Sequence, residues 1–244
     1  MNIFIQQSKA EMLRMFRNPY YIFWSLTMPI LFYFVFTKVM NVTKDDPVLN
    51  AHFLMSMTAF SVMGSSIMTL GIRLVEERAQ GWTTFMRVTP LSSYTYFAAK
   101  IVGQTIVHVF SILVIFTAGA LVNKVTLSVG EWLLSGGWIL LGSLPFLWLG
   151  VLIGTMKRVD TAVGVSNILY MGLAITGGMW MPIDIMPEVV QWIGKSLPAF
   201  HFGNGAWSII RGNAPDWMNI VMLAAYLVLF MILSTYIRRR QEAV

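Results

Sequence analysis

Apolar residues dominate six stretches of this chain, each close to twenty residues long: Tyr20–Val39, Phe53–Ile72, Ile101–Val122, Trp132–Thr155, Ala162–Met181 and Trp217–Ile237. The hydrocarbon core of a bilayer takes about 20 residues of helix to cross. In lipid the backbone must satisfy its own hydrogen bonds, so each stretch is predicted to be a helix. No stretch alternates with the period of a strand, which argues against a β-barrel. The expected fold class is an all-α membrane protein with six transmembrane helices, forming a single domain over residues 1–244.

The segments between these stretches carry more information. In residues 1–18 a helical wheel gathers Met1, Ile5, Met12, Leu13, Met15 and Phe16 on one face and Gln6, Gln7, Glu11, Arg14, Arg17 and Asn18 on the other. That pattern predicts an interfacial helix lying along the membrane surface, which Pro19 ends or turns into the first span. The segment is too polar for a cleavable signal peptide. In the loop of residues 73–92, Gly81 is expected to break the helix leaving the second span. Trp82–Val88 then forms a short separate helix that Pro90 stops. Residues 182–215 are rich in Trp, Ile, Val and Phe, and Pro182, Pro187 and Pro198 divide them into pieces too short to span and too apolar to be solvated. Re-entrant or interfacial helices are expected there.

Charge sets the sidedness. Only 11% of residues are charged, mean hydropathy is +0.68 and the formal net charge is +6. Lys9, Arg14, Arg17, Arg73, Arg78, Arg87, Lys100, Lys157, Arg158, Arg238, Arg239 and Arg240 fall on one side. Lys38, Lys44, Lys124, Lys195 and Arg211 fall on the other. The richer side is predicted to be cytoplasmic, with both termini there. The net charge then reflects topology and contact with the lipid bilayer, not nucleic acid.

Catalytic chemistry is not legible. Cysteine is absent, and His52, His108 and His201 have no metal-ligand spacing. Gly194-Lys195-Ser196 mimics the end of a phosphate loop, but Val189 stands where that motif needs glycine. The spans hold no Asp, Glu, Lys or Arg well inside, which argues against an ion-coupled carrier. A six-span membrane enzyme or secondary transporter remains the alternative of another class. Gln104, His108, Ser61, Ser65, Ser66, Thr69 and Asn167 are expected to hydrogen-bond between helices, and Gly150 with Gly154 to permit close helix packing.

Two stretches carry a resemblance. Glu77 to Ser92 reads E-R-A-Q-G-W-T-T-F-M-R-V-T-P-L-S, and Gly177 to Glu188 reads G-G-M-W-M-P-I-D-I-M-P-E, with Leu197-Pro198 and Ile210-Arg211 following. Together with the order of segments, they resemble the membrane (permease) subunit of ABC type-2 exporters, such as bacterial drug and antibiotic exporters. Trp82 departs from the threonine often found after the glycine. The resemblance implies export of a lipophilic substrate (drug, antibiotic, peptide or lipid) across the plasma membrane by alternating access. It also implies a partner ABC ATPase subunit that holds ATP and Mg, no catalytic, metal or cofactor site in this chain, and pairing with a second permease copy as a homodimer or heterodimer. It makes residues 1–18 the connecting helix. It assigns Glu76, Glu77, Arg78, Gly81, Trp82, Arg87, Thr89 and Pro90 to coupling with the ATPase. Met57, Phe60, Ser61, Asn167, Tyr170 and Met171 would line the translocation path, and Pro182, Pro187 and Pro198 an outer gate.

Overall fold

The computed structural model describes residues 3–43, 46–82 and 92–242. Among these residues the chain is helical, without a strand. Helix α1 is Ile3–Phe16, and α2 is Pro19–Phe34, continued by a π-helical turn, Val35–Val39. Helix α3 is Pro47–Gly64; a second π-helical turn, Ser65–Leu70, joins it to α4, Gly71–Ala79. Then come α5 (Ser93–Asn123), α6 (Val129–Gly142), α7 (Leu144–Ile153) and α8 (Val159–Thr176). A 3₁₀ turn at Ile183–Ile185 leads to α9 (Glu188–Ser196), α10 (Pro198–Ile209) and α11 (Trp217–Glu242).

The helix starts follow local chemistry. The Asp46 carboxylate accepts from the backbone N–H of Val48 at 2.7 Å and of Leu49 at 3.3 Å, with Pro47 at the first helical position. Ser92 caps α5, and Ser128 with Glu131 forms a capping box on α6. The fourth predicted span is two helices, broken at Ser143, because Pro145 has no N–H to continue the ladder and instead opens α7. Pro182, Pro187 and Pro198 each sit at the start of a short helical piece of the 182–215 segment.

Among the described residues, five helical rods are long and apolar enough to cross a membrane: Pro47–Ala79, Tyr94–Asn123, Val129–Ile153, Val159–Thr176 and Trp217–Gln241. The apolar part of the first predicted span, Ser25–Val39, forms a shorter helix. The α3 rod is the central post, with every residue from Asn50 to Gly64 buried. Around it pack α2, α5, α6, α8 and α10. The rim is apolar toward the outside: Ile220, Val228 and Ile232 on α11 and Leu121 on α5 are exposed, as lipid-facing side chains would be.

Close packing is fixed where glycines meet. A Cβ on Gly150 would lie 2.2 Å from the Ser66 carbonyl oxygen, one on Gly71 3.1 Å from the Gly150 carbonyl oxygen, and one on Gly154 2.7 Å from a Leu74 methyl. The backbones of α7 and the π turn therefore touch directly, the role expected of the Gly150/Gly154 pair. Helix α10 inserts in the same manner: Gly142 leaves room for the Phe202 ring, and Trp138 Nε1 donates to the Phe202 carbonyl at 2.9 Å.

Gly150→Ala is expected to reduce the folded fraction sharply, because overpacking a close-packed site costs about 1–3 kcal/mol. Gly137→Ala, with nothing within 4 Å of its added Cβ, is expected to be silent. Fluorescence-detected size exclusion after a temperature series checks both.

Candidate functional site

The densest chemistry lies where the end of α1, the end of α4 and the start of α5 meet. Two carboxylates, Glu11 (3% exposed) and Glu77 (2%), are buried there with Lys100 (1%). Lys100 Nζ donates to Glu77 Oε1 at 2.8 Å and to Glu11 Oε1 at 3.1 Å. Arg73 places Nη2 on Glu11 Oε2 at 2.7 Å and Nε on Glu77 Oε1 at 3.3 Å. Arg14 donates from Nη1 to Glu77 Oε1 at 2.6 Å, and the Tyr96 hydroxyl donates to Glu77 Oε2. Each charge has partners of the opposite sign, the condition under which burial is tolerable.

This cluster sets how α1 sits. Its polar face, centred on Ser8 and Glu11, turns inward, while Ile3, Ile5 and Leu13 are exposed. Gly103 on α5 marks the contact, since a Cβ there would meet that of Glu11 at 3.2 Å. Helix α1 is thus held by an ion cluster on one side, with Met15 buried beside it and Phe16 against Phe110 at 5.4 Å, and leaves Ile3, Ile5 and Leu13 outside.

Next to it, Arg78 fastens the end of α7. Its guanidinium donates to the carbonyls of Gly154, of Thr155 at 3.1 Å and of Met156 at 3.4 Å. These carbonyls have no helical partner, and a cation at a helix C-terminus also suits the helix dipole. Gln241 of α11 adds Nε2 to the Thr155 carbonyl at 2.9 Å. Helix α4 then stops. Gln80 N–H closes on the Glu76 carbonyl at 2.9 Å, and Gly81 takes φ +76°, the left-handed conformation that glycine adopts without a Cβ penalty. Trp82 follows, exposed. Glu76 is exposed, whereas Glu77 and Arg78 are committed to internal partners. Arg87, Thr89 and Pro90 lie outside the described residues.

The residues assigned to a path divide in two. Met57, Phe60, Ser61 and Tyr170 are buried in the core, where the Phe60 and Tyr170 rings stack at 4.6 Å and Ser61 Oγ donates to the Ser25 carbonyl at 3.2 Å. Asn167, whose side chain bonds its own helix at the Val163 carbonyl, and exposed Met171 stand on the outward side of α8. Pro198 is buried, Pro187 exposed and Pro182 intermediate.

Deeper in the bundle, Gln104 donates to Ser65. His108 Nε2 lies 3.3 Å from Ser66 Oγ, and its Nδ1 3.4 Å from Ser143 Oγ. This polar knot joins the π turn, α5 and the α6–α7 break. At the far end His52 stacks on Trp207 at 4.5 Å and lies 3.4 Å from Arg211 Nη2, while His201 pairs with Asn219 at 2.8 Å. Sequence reasoning missed the ion cluster because its members come from three segments far apart in the chain. The available signal was Glu11 and Lys100, the lone acidic residue of the first helix and the cation at the mouth of the third span.

Lys100→Met is expected to cost about 3–5 kcal/mol, since it removes the buried ammonium that two buried carboxylates share. Arg158→Gln, whose pair with Asp160 spans 3.9 Å between largely exposed side chains, is expected to leave stability unchanged. Thermal unfolding of the two purified variants in one detergent makes the comparison.

A profile described as ABC-2 family transporter protein matches residues 37–236. A protein of Bacillus subtilis (strain 168), YvfS, which is named as a transport permease, is 58% identical over 245 residues, covering 100% of both chains. The match takes in both halves of the bundle and the loop rooted at Glu77. This chain belongs to the ABC-2 family, as a membrane permease of that transporter class.

Proposed function

We propose that this chain is the membrane subunit of an ATP-driven exporter that moves a lipophilic substrate out of the cell. Association with an ABC ATPase follows from family membership; on this reading the ATPase is a separate chain, and ATP and Mg bind there. The permease works with a second permease copy, spans the plasma membrane six times with α2 as the first span, and keeps both termini in the cytoplasm. The 182–215 segment forms its outer re-entrant element, with Pro182, Pro187 and Pro198 at the outer gate. Met57, Phe60, Ser61, Asn167, Tyr170 and Met171 line the route when the subunits part.

One observation carries this reading: the root of the 73–92 loop is bound by side chains to four other helices. Glu77 joins it to α1 and α5, and Arg78 joins it to α7 and, through Gln241, to α11. A displacement of the loop by an ATPase would therefore be passed to four helices at once. Gly81, Trp82, Arg87, Thr89 and Pro90 are the contact side of that device, while Glu77 and Arg78 are its anchors and Glu76 stands at its edge. The two charge sets also gather at opposite ends of the bundle. Arg73, Arg78 and Lys100 lie at one end, while the ends of α2 and α5 meet at the other through Asn123 Nδ2 and Thr37 Oγ1 at 2.8 Å.

Ala79 and Ser196 are both exposed, and the chain has no cysteine. In intact cells an impermeant thiol reagent is expected to label Ser196→Cys and not Ala79→Cys; the reverse result overturns the orientation. Gly81→Pro forces φ to about −65° where +76° is needed. Since Gly81 has no neighbour within 4 Å of an added Cβ, the variant is expected to reach the membrane in normal amount and to lose efflux with its ATPase. Full efflux at normal abundance would refute the coupling role.

A further inference from the structure

We propose that the cleft between α1 and the inner end of the second span is a headgroup site for a zwitterionic amphiphile, one carrying a phosphate and an amine on an apolar tail. The cleft has a volume of about 410 Å³. Arg14 and Asn18 form its wall on α1. Met68, Thr69, Ile72 and Glu76 form the other wall, recurring every three or four residues along one continuous helical face.

The charges select the ligand. In the adjoining cluster Arg14, Arg73 and Lys100 face Glu11 and Glu77, three cations to two carboxylates, which leaves a surplus of one positive charge. Lys100 is 1% and Arg73 14% exposed at the side chain, while Arg14 is 50% exposed. The surplus is therefore presented to the cleft by Arg14. Opposite it, Glu76 is an exposed carboxylate that no described residue pairs. A purely anionic ligand would leave Glu76 unmatched, and a purely cationic one would leave the surplus positive charge of the cluster uncompensated. A phosphate beside an amine answers both, with Asn18 and Thr69 as further hydrogen-bonding groups.

The tail has a place as well. Met68 and Ile72 are half-buried in one wall, and Met15 lines the cleft from α1. A headgroup in the cleft thus has apolar protein surface beside it, at the depth where an amphipathic helix lies. Since Arg14 also bonds Glu77 at 2.6 Å, a bound phosphate competes with the carboxylate that anchors the coupling loop. Occupancy would then be felt at the loop. That last step, and the assignment of the occupant as cargo, rest on the export reading; the site itself does not.

The test titrates the purified full-length chain in detergent with three lipids of equal short chain length, read by native mass spectrometry. These are a phosphatidylethanolamine, a phosphatidylglycerol and an alkylammonium salt, with free phosphoethanolamine as a fourth arm. The phosphatidylethanolamine is expected to bind about tenfold tighter than either singly charged lipid, the worth of one charge-assisted contact. Free phosphoethanolamine is expected to bind more weakly than the lipid. Glu76→Gln is expected to erase the preference over phosphatidylglycerol without changing the melting temperature, because Glu76 is exposed. Thr69→Phe, which fills the cleft, is expected to weaken all three lipids. Equal binding of the three lipids, or an unchanged preference in Glu76→Gln, overturns the proposal. Binding kept while ATP-dependent efflux of every tested amphiphile is absent would sink the export reading and leave the site standing.

Discussion

Burying two carboxylates among three cations constrains this protein more than any other single interaction. Removing an ion from water costs several kcal/mol even after relaxation, and only close opposite charges offset it. Glu11, Glu77 and Lys100 therefore cannot be placed independently. Lys100 stands 89 residues from Glu11 and 23 from Glu77 in sequence, yet its one ammonium group must reach both. That requirement fixes the start of α5 against α1 and the end of α4. It also explains an arrangement that hydrophobicity alone would not give: the first helix buries Ser8 and Glu11 together with Met15, while Ile5 and Leu13 face away. Next to lipid this is the favourable choice, since the hydrocarbon accepts Ile5 and Leu13 as readily as a core would.

The same logic orders the rest of the bundle. Lipid tails are as apolar as leucine, so apolar contact between helices has little driving force, and polar links with small-residue contacts must set the register. Three polar levels do this. The ion cluster holds one end. The His108–Gln104–Ser65–Ser66–Ser143 knot holds the middle, and the His52–Trp207–Arg211 and His201–Asn219 contacts hold the opposite end. Between the first two lies the π turn Ser65–Leu70. Its extra residue per turn presents Ser65 and Ser66 toward α5 while Gly71 meets Gly150. A regular helix would shift Gly71 and everything after it by about 100° about the axis, carrying Arg73 and Glu77 away from their partners. The wide turn and the ion cluster thus require one another.

Much of this was legible in the sequence, for identifiable reasons. Long apolar runs report a helix directly, and the runs starting near Phe53, Ile101, Trp132, Ala162 and Trp217 each became a rod long enough to cross a membrane. Proline and glycine act locally, so the break at Gly81 and the short pieces begun by Pro182, Pro187 and Pro198 could be read from single residues. The break at Ser143 was missed, although Pro145 was its signal, because the apolar run continues unbroken across it. The ion cluster was not legible. Each member alone looks like an ordinary interfacial charge, and only the fold brings Glu11, Arg73, Glu77 and Lys100 within hydrogen-bonding distance. The split of the path residues was hidden as well, since composition does not say which face of α8 turns inward. Tyr170 fills the space that Gly64 leaves, its ring 2.6 Å from where a Cβ would stand, while Met171, the next residue, points the other way.

The end of the bundle that holds the ion cluster also separates what can move from what cannot. Gly71, Gly150 and Gly154 bring backbones so close that sliding α4 along α7 would force atoms together within the first ångström. Arg78 adds three carbonyl contacts across the same junction. Helices α4 and α7 must therefore move as one body. Gly81 is the opposite case: its conformation rests on the absence of a side chain, and no described residue lies within 4 Å of where a Cβ would stand. Between Gly81 and the ion cluster there is no slack: Glu77, Arg78 and Ala79 belong to α4, and Gln80 N–H closes on the Glu76 carbonyl at 2.9 Å. A force applied beyond Gly81 would therefore act at once on the contacts of Arg78 and Glu77, and through them on the end of the bundle that holds the ion cluster.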